Sequence, residues 1–219
     1  MTKAIRFHDH GGPEVLRLEE VTLPDPGPGE ARVLHRAVGL NYIDVYHRTG
    51  LYPVAGLPSG IGLEAAGVVD AVGDGVTDVK PGDRVAYAAP PLGAYAEARV
   101  IPADRLVALP DGIDDEQAAA MMLQGMTAQY LLRRTYPVKA GETILVHAAA
   151  GGVGLLLCQW ARHLGAMVIG TVGSAEKADL AKAHGCHHPI LYRDEDVPTR
   201  VREITDGKGV AVVYDGVGK

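Results

Sequence analysis

The chain has 219 residues, 47% of them hydrophobic, with a formal net charge of -6, a pI near 5.8 and a mean hydropathy of +0.05, enough apolar material for one large soluble core or two modest ones. Its acidic balance provides no broad basic surface to neutralise a phosphate backbone, which argues against nucleic acid as a partner. Two cysteines, Cys158 and Cys186, cannot build a disulfide framework, and MTKAIRFHDH lacks the apolar stretch of a secretory signal. The apolar segment around Leu155–Trp160 falls short of the ~20 residues of a membrane span and is broken by Gly151, Gly152 and Gly154, so a cytoplasmic protein with no membrane partner is expected.

Between Lys3 and about Leu109, short β-rich runs alternate with Gly/Pro punctuation: KAIRF, EVLRLEEV, ARVLHRAV, AAGVVDAV, DRVAYAA, AYAEARVI and LVAL. That spacing predicts a compact, barrel-like all-β unit. A helix interrupts it after Asn41, where NYIDVYHRTG sets Tyr42, Val45 and Tyr46 on one face and stops at Gly50. From Asp111, DGIDDEQAAAMMLQGMTAQYLLRR opens on acidic residues and closes on paired arginines, charges that suit the two ends of a helix dipole. It predicts a helix joining two domains, residues 1–123 and 124–219. Beyond it, ETILVHA, AAGGVG, LLLCQWARHLG, MVIGTVG, AEKADLAKAHG, HPILY, VPTRVREITDG and VAVVYDGVG alternate strand and helix, the pattern of an α/β domain with a parallel sheet.

Ala149-Ala150-Gly151-Gly152-Val153-Gly154 is a G-x-G-x-x-G variant with alanine first, directly after a predicted strand and opening a predicted helix. Glycines there let the backbone approach a pyrophosphate, whose charge sits against the positive end of the helix. Enzymes that choose NAD place Asp or Glu about 20 residues further on, to hold the ribose 2′-hydroxyl. Here that place reads Gly173-Ser174, with Lys177 one turn later, a set that favours the 2′-phosphate of NADPH. The plainer alternative makes Ser174 an N-cap and Lys177 a solvated lysine, and Glu176 could turn toward a ribose hydroxyl. His184-Gly185-Cys186-His187-His188 has metal-ligand residue types but follows a helix that stops at Gly185, and reads as a surface turn, as do His8 and His10.

NYIDVYHRTGLYP, LPSGIGLEAAGVV, PGDRVAY, the AAAGGVG loop, GTVGSAEK and VVYDGVG together resemble the quinone oxidoreductases of the zeta-crystallin type, in the medium-chain dehydrogenase/reductase superfamily. The resemblance implies a GroES-like β-rich catalytic domain, a Rossmann domain with a doubly wound parallel sheet, homodimers, and hydride transfer from NADPH to quinones without zinc. Zinc-dependent relatives carry a cysteine at the position of Asn41, a Gly-His-Glu at Gly62-Leu63-Glu64, and a four-cysteine lobe that two cysteines cannot supply. It also implies that Asn41 bonds the cofactor near the nicotinamide ribose, with Tyr42, Asp44 and Tyr46 beside it. Tyr46 and Tyr52 line or donate to the quinone unless they are packing tyrosines; Thr127 faces the nicotinamide and Tyr192 the adenine. Glu64 braces the domain. Relatives continue well past Val217-Gly218-Lys219, so a C-terminally truncated chain is expected, a fragment or the product of an interrupted frame, without the family's dimer edge. The competing readings are an NADPH-dependent enone or enal reductase, and a non-enzymatic NADPH- or RNA-binding crystallin-like protein.

Overall fold

Elements of the first half follow the alternation of apolar and polar residues. The computed structural model describes residues 1–216 and 218 and divides them between two compact units, Met1–Leu123 and Gln124–Lys219. The chain runs β1 (Thr2–Phe7), β2 (Leu16–Val21), β3 (Glu30–Gly39), α1 (Tyr42–Thr49), β4 (Ser59–Gly60), β5 (Glu64–Val72), β6 (Arg84–Ala88), β7 (Ala98–Pro102), β8 (Val107–Ala108) and α2 (Asp115–Tyr130). In the first unit these strands make a five-stranded sheet ordered β7-β3-β5-β6-β8 and a three-stranded sheet ordered β2-β1-β4. An isolated Ala4–Ala96 bridge links them. Along β3, Ala31, Val33 and Gly39 are buried, His35 and Ala37 are half-buried, and Leu34, Arg36 and Val38 between them are exposed, the period of two of a half-covered strand. The partners of Ala31 and Val33 in the core include Val69, Val85, Tyr87 and Ile101.

Several expected elements come out shorter, three of them for reasons visible in the structure. EVLRLEEV starts as a 3-10 turn over Pro13–Val15, because Pro13 fixes φ and has no N–H to give a ladder. AYAEARVI becomes regular strand only at Ala98: before it, the Tyr95 carbonyl accepts from Ile5 N–H at 2.8 Å and Glu97 N–H donates to Lys3 at 2.9 Å, which bends this segment toward β1. The long helix ends its α-helical course at Tyr130, and Leu131–Thr135, with both arginines, forms a π turn.

The second unit continues with β9 (Thr143–Val146), α3 (Gly152–His163), β10 (Met167–Val172), α4 (Ala175–Ala183), β11 (His188–Leu191), α5 (Val197–Ile204) and β12 (Val212–Tyr214). All pair in parallel, in the order β11-β10-β9-β12. Numbered within the unit, that is third, second, first, fourth, the strand order of a Rossmann half-sheet. Continuous apolar runs are needed because both faces are covered. Ile144, Val146 and Val168 pack on one side with Leu157, Cys158 and Ala161 of α3. Leu145 and Ile169 pack on the other with Val201 of α5. Of VAVVYDGVG, Val217 lies outside the described residues. No helix among the described residues is long and apolar enough to cross a membrane.

Candidate functional site

In the second unit the chemistry-bearing residues collect at the carboxyl ends of β9 and β10. Beyond β9 the chain turns through Ala148, whose φ is 51°. The Thr171 hydroxyl fixes this turn, accepting from Ala148 N–H at 3.3 Å and lying 2.9 Å from His147 Nδ1. Gly151 then starts α3 with extended backbone and no side-chain cap. The opening N–H groups of α3 thus point outward at its positive end, the arrangement that receives an anion. A Cβ on Gly154 would stand 2.3 Å from the Ala148 carbonyl oxygen and 2.8 Å from Ala149 Cα, so only glycine lets the helix lie this close to the strand. Ala149, first in the motif, is fully buried. It fits because β10 carries Gly170 opposite it, where a Cβ would come within 2.5 Å of Ala149 Cβ. The uncapped helix and the glycine cradle fit a dinucleotide pyrophosphate.

Where β10 ends, Gly173 and Ser174 lead into α4. Ser174 is the N-cap, its Oγ accepting from Lys177 N–H at 3.3 Å. Tyr192 packs on Gly173, close enough that a Cβ there would meet its hydroxyl at 2.8 Å. At 51% exposure Tyr192 still offers much of its surface to a ligand. The structure therefore brings Gly151–Gly154, Gly173, Ser174, Lys177 and Tyr192 to one end of one sheet. Thr127 lies half-buried on α2 in the same unit.

In the first unit, the site residues gather where β3 passes into α1. Asn41 Nδ2 donates to Glu64 Oε2 at 2.6 Å, and its backbone N–H donates to Asp44 Oδ2 at 2.9 Å. Glu64 is completely buried, and its other oxygen accepts from Leu123 N–H at 2.8 Å. It ties α1 and α2 to β5. Burial pushes the Glu64 and Asp44 carboxyls above the ordinary carboxylate range, while the hydrogen bonds they accept hold them back. Asp44, at 4% exposure, has an intramolecular task. Outside this buried network lie three aromatic rings: Tyr42 meets Tyr46 edge-on at 5.2 Å, and Tyr46 lies 5.1 Å from Tyr52. Tyr42 and Tyr52 are both exposed.

Residues 27–111 match the alcohol dehydrogenase GroES-like domain family, and residues 152–219 the zinc-binding dehydrogenase family. The quinone oxidoreductase of Pseudomonas aeruginosa is 61% identical over 219 residues, an alignment that takes in 100% of this chain and 67% of that protein. The chain belongs to the quinone oxidoreductase family. The crystal structure of Escherichia coli quinone oxidoreductase complexed with NADPH superposes with a TM-score of 0.97 at 55% identity, covering 99% of this chain and 67% of that one. A 2-haloacrylate reductase from Burkholderia is 51% identical over 224 residues, covering 100% of this chain and 67% of the relative.

Within the quinone oxidoreductase family, a family of oxidoreductase enzymes, the GroES-like and Rossmann expectations are met. The zinc that names one matched family finds no ligand set here: Asn41 spends its amide on Glu64, Leu63 is apolar, and among the described residues no cluster of His, Cys, Asp or Glu is placed to hold a metal. The His184–His188 segment is the turn expected after α4, with His187 and His188 exposed, yet it is not wholly at the surface. Cys186 is buried, and His187 Nδ1 accepts from Val168 N–H at 3.0 Å, so the segment docks against β10. Sequence reasoning passed over Thr171, Gly170 and Tyr95. Only Gly170 carried a signal, since a glycine inside a strand marks a close approach. Tyr95 donates its hydroxyl to Asp44 Oδ2 at 2.8 Å from a distant part of the chain.

Proposed function

We propose that this chain is an NADPH-dependent quinone reductase that moves a hydride to its acceptor without a metal. The observation that carries the reading is the end of β10, where Gly173 and Ser174 stand in place of the carboxylate that an NAD site uses against the ribose 2′-hydroxyl. When bound, NADPH supplies a hydride from its nicotinamide. Gly151, Gly152, Val153 and Gly154 hold the pyrophosphate against the start of α3. The Ser174 hydroxyl and the Lys177 ammonium answer the 2′-phosphate, Gly173 leaves room for the Tyr192 ring, and Tyr192 stacks at the adenine. Thr127 faces the nicotinamide. Asn41 orients the ribose, with Tyr42 beside it and Asp44 fixing its backbone. Tyr46 and Tyr52 line the acceptor and offer phenol protons to the developing phenolate, which needs no Lewis acid because the reduced quinone is a weak base.

Titration of the protein with NADPH and NADH, followed by nucleotide fluorescence, tests the cofactor. Lys177→Glu is expected to weaken NADPH at least about tenfold and to leave NADH nearly unchanged. Equal affinities in the wild type, or an unmoved NADPH affinity in the variant, overturn the reading. The similarity to a 2-haloacrylate reductase favours a second acceptor class, alkenes activated by an electron-withdrawing group. NADPH oxidation with a panel of quinones against a panel of 2-haloacrylates and enones decides between them.

A further inference from the structure

We propose that Tyr95 is a positioning residue for this reaction, acting through the Asp44 carboxylate to fix Asn41. The inference rests on the reading above in one respect, that Asn41 serves the cofactor. Asp44 Oδ2 accepts from two donors, Asn41 N–H at 2.9 Å and Tyr95 Oη–H at 2.8 Å, while Oδ1 is buried without a partner. A carboxylate at 4% exposure is costly to keep ionised, and its ionised form is held by the hydrogen bonds it accepts. If it took a proton, the bond to Asn41 N–H would lose its charge assistance, and with it the hold on the residue where β3 becomes α1.

Tyr95 is anchored independently of α1. Its backbone N–H donates to the Ile61 carbonyl at 3.0 Å, and its carbonyl accepts from Ile5 at 2.8 Å. Its ring occupies the space beside Gly62, whose φ is +88° and where a Cβ would stand 2.4 Å from the ring. Gly62 therefore does two things at once: it takes a left-handed backbone and leaves room for the phenol that reaches Asp44. Three titratable groups act on Asp44: Tyr95 from the segment before β7, His47 from α1 itself, and Glu64 from β5, whose own carboxyl Asp44 pushes up. Tyr95 and His47 favour the charged form, and Glu64 opposes it. Asn41 is thus held at both ends, its side chain by Glu64 and its backbone by Asp44.

Tyr95→Phe keeps the ring on Gly62 and removes only the hydroxyl. Without that donor the Asp44 carboxyl protonates at a higher pH, so the acid limb of NADPH affinity is expected to move up by about one pH unit. Asp44→Asn, which keeps an acceptor oxygen and cannot titrate, is expected to flatten that limb. Both are read from NADPH titrations between mildly acidic and mildly alkaline pH, with thermal melts to confirm folding. A Tyr95→Phe limb at the wild-type midpoint, an equal loss at every pH, or an Asp44→Asn protein that retains the wild-type limb overturns the proposal. A wild type that binds NADPH with no preference over NADH overturns the cofactor reading alone, and the midpoints of these limbs still decide for or against Tyr95.

Discussion

Two glycines of the loop separate packing from binding. Gly154 faces a backbone carbonyl 2.3 Å from where a Cβ would be, and backbone cannot step aside. Gly154→Ala is therefore expected to cost the second unit about 1–3 kcal/mol, seen as a lower midpoint in urea unfolding. Gly152, in the first turn of α3, would meet only Gln124 Cγ at 3.3 Å. That side chain can shift, and alanine favours helix, so Gly152→Ala is expected to change stability by less than about 0.5 kcal/mol in the same experiment. If the two variants unfold alike, close packing is not what reserves position 154 for glycine. The pattern of the loop was legible in the sequence because each glycine answers a local need. Tyr95 was not, because its partner Asp44 lies 51 positions away and nothing local in GAYAEA marks the contact.

At the scale of elements, α4 shows one residue with two roles that a substitution can pull apart. Ser174 caps the helix by accepting from Lys177 N–H, and in our reading it also meets the 2′-phosphate. Ser174→Asp retains a good cap and sets a negative charge at the phosphate position. It is expected to keep the wild-type melting temperature, to lose NADPH affinity by more than about tenfold, and to keep NADH. Loss of both nucleotides together would mean that the helix start, not its charge, had been damaged. Strand and helix identities were readable in most segments because periodicity carries them: the run at β3 alternates, and the runs at β9 and β10 are mostly apolar, with Thr143 and Thr171 as their polar members. Ends were less readable. Tyr130-Leu131-Leu132 continues a good helical sequence, yet the helix changes winding there, where the Leu131 and Tyr136 carbonyls both accept from the Tyr214 hydroxyl on β12. That tertiary demand leaves no mark on the local sequence.

Across the whole molecule, acid acts on buried groups in opposite directions. His35 Nδ1 bonds the Ala96 carbonyl at 2.7 Å, and its Nε2 lies 2.9 Å from the Tyr87 hydroxyl. Burial, with the Arg99 charge nearby, brings its pKa down to about 4. The folded state thus keeps this ring neutral while the unfolded chain takes up a proton below its ordinary value of 6.5. Stability from His35 is complete above that value and is lost as the pH falls toward about 4, a change on the order of 3 kcal/mol or less. Asp44 and Glu64, with carboxyls raised by burial, work the other way, since the fold binds their protons more readily than the unfolded chain does. His35→Gln should therefore flatten the fall in urea midpoint between neutral and mildly acid pH, and an unchanged slope in that variant would rule His35 out as its source. Fold class was readable at this scale from the switch in period near Asp111, but the pairing order was not, since β9 takes one neighbour from nearby and the other from far along the chain.

That order has a consequence for synthesis. Strand β9 meets β10 soon after both are made, but its opposite flank stays bare until α4, β11 and α5 have followed and Val212–Tyr214 emerge from the ribosome. During that interval a nascent chain offers an apolar ribbon with open hydrogen-bonding groups at the heart of its nucleotide domain, and this is when a chaperone would have most to hold.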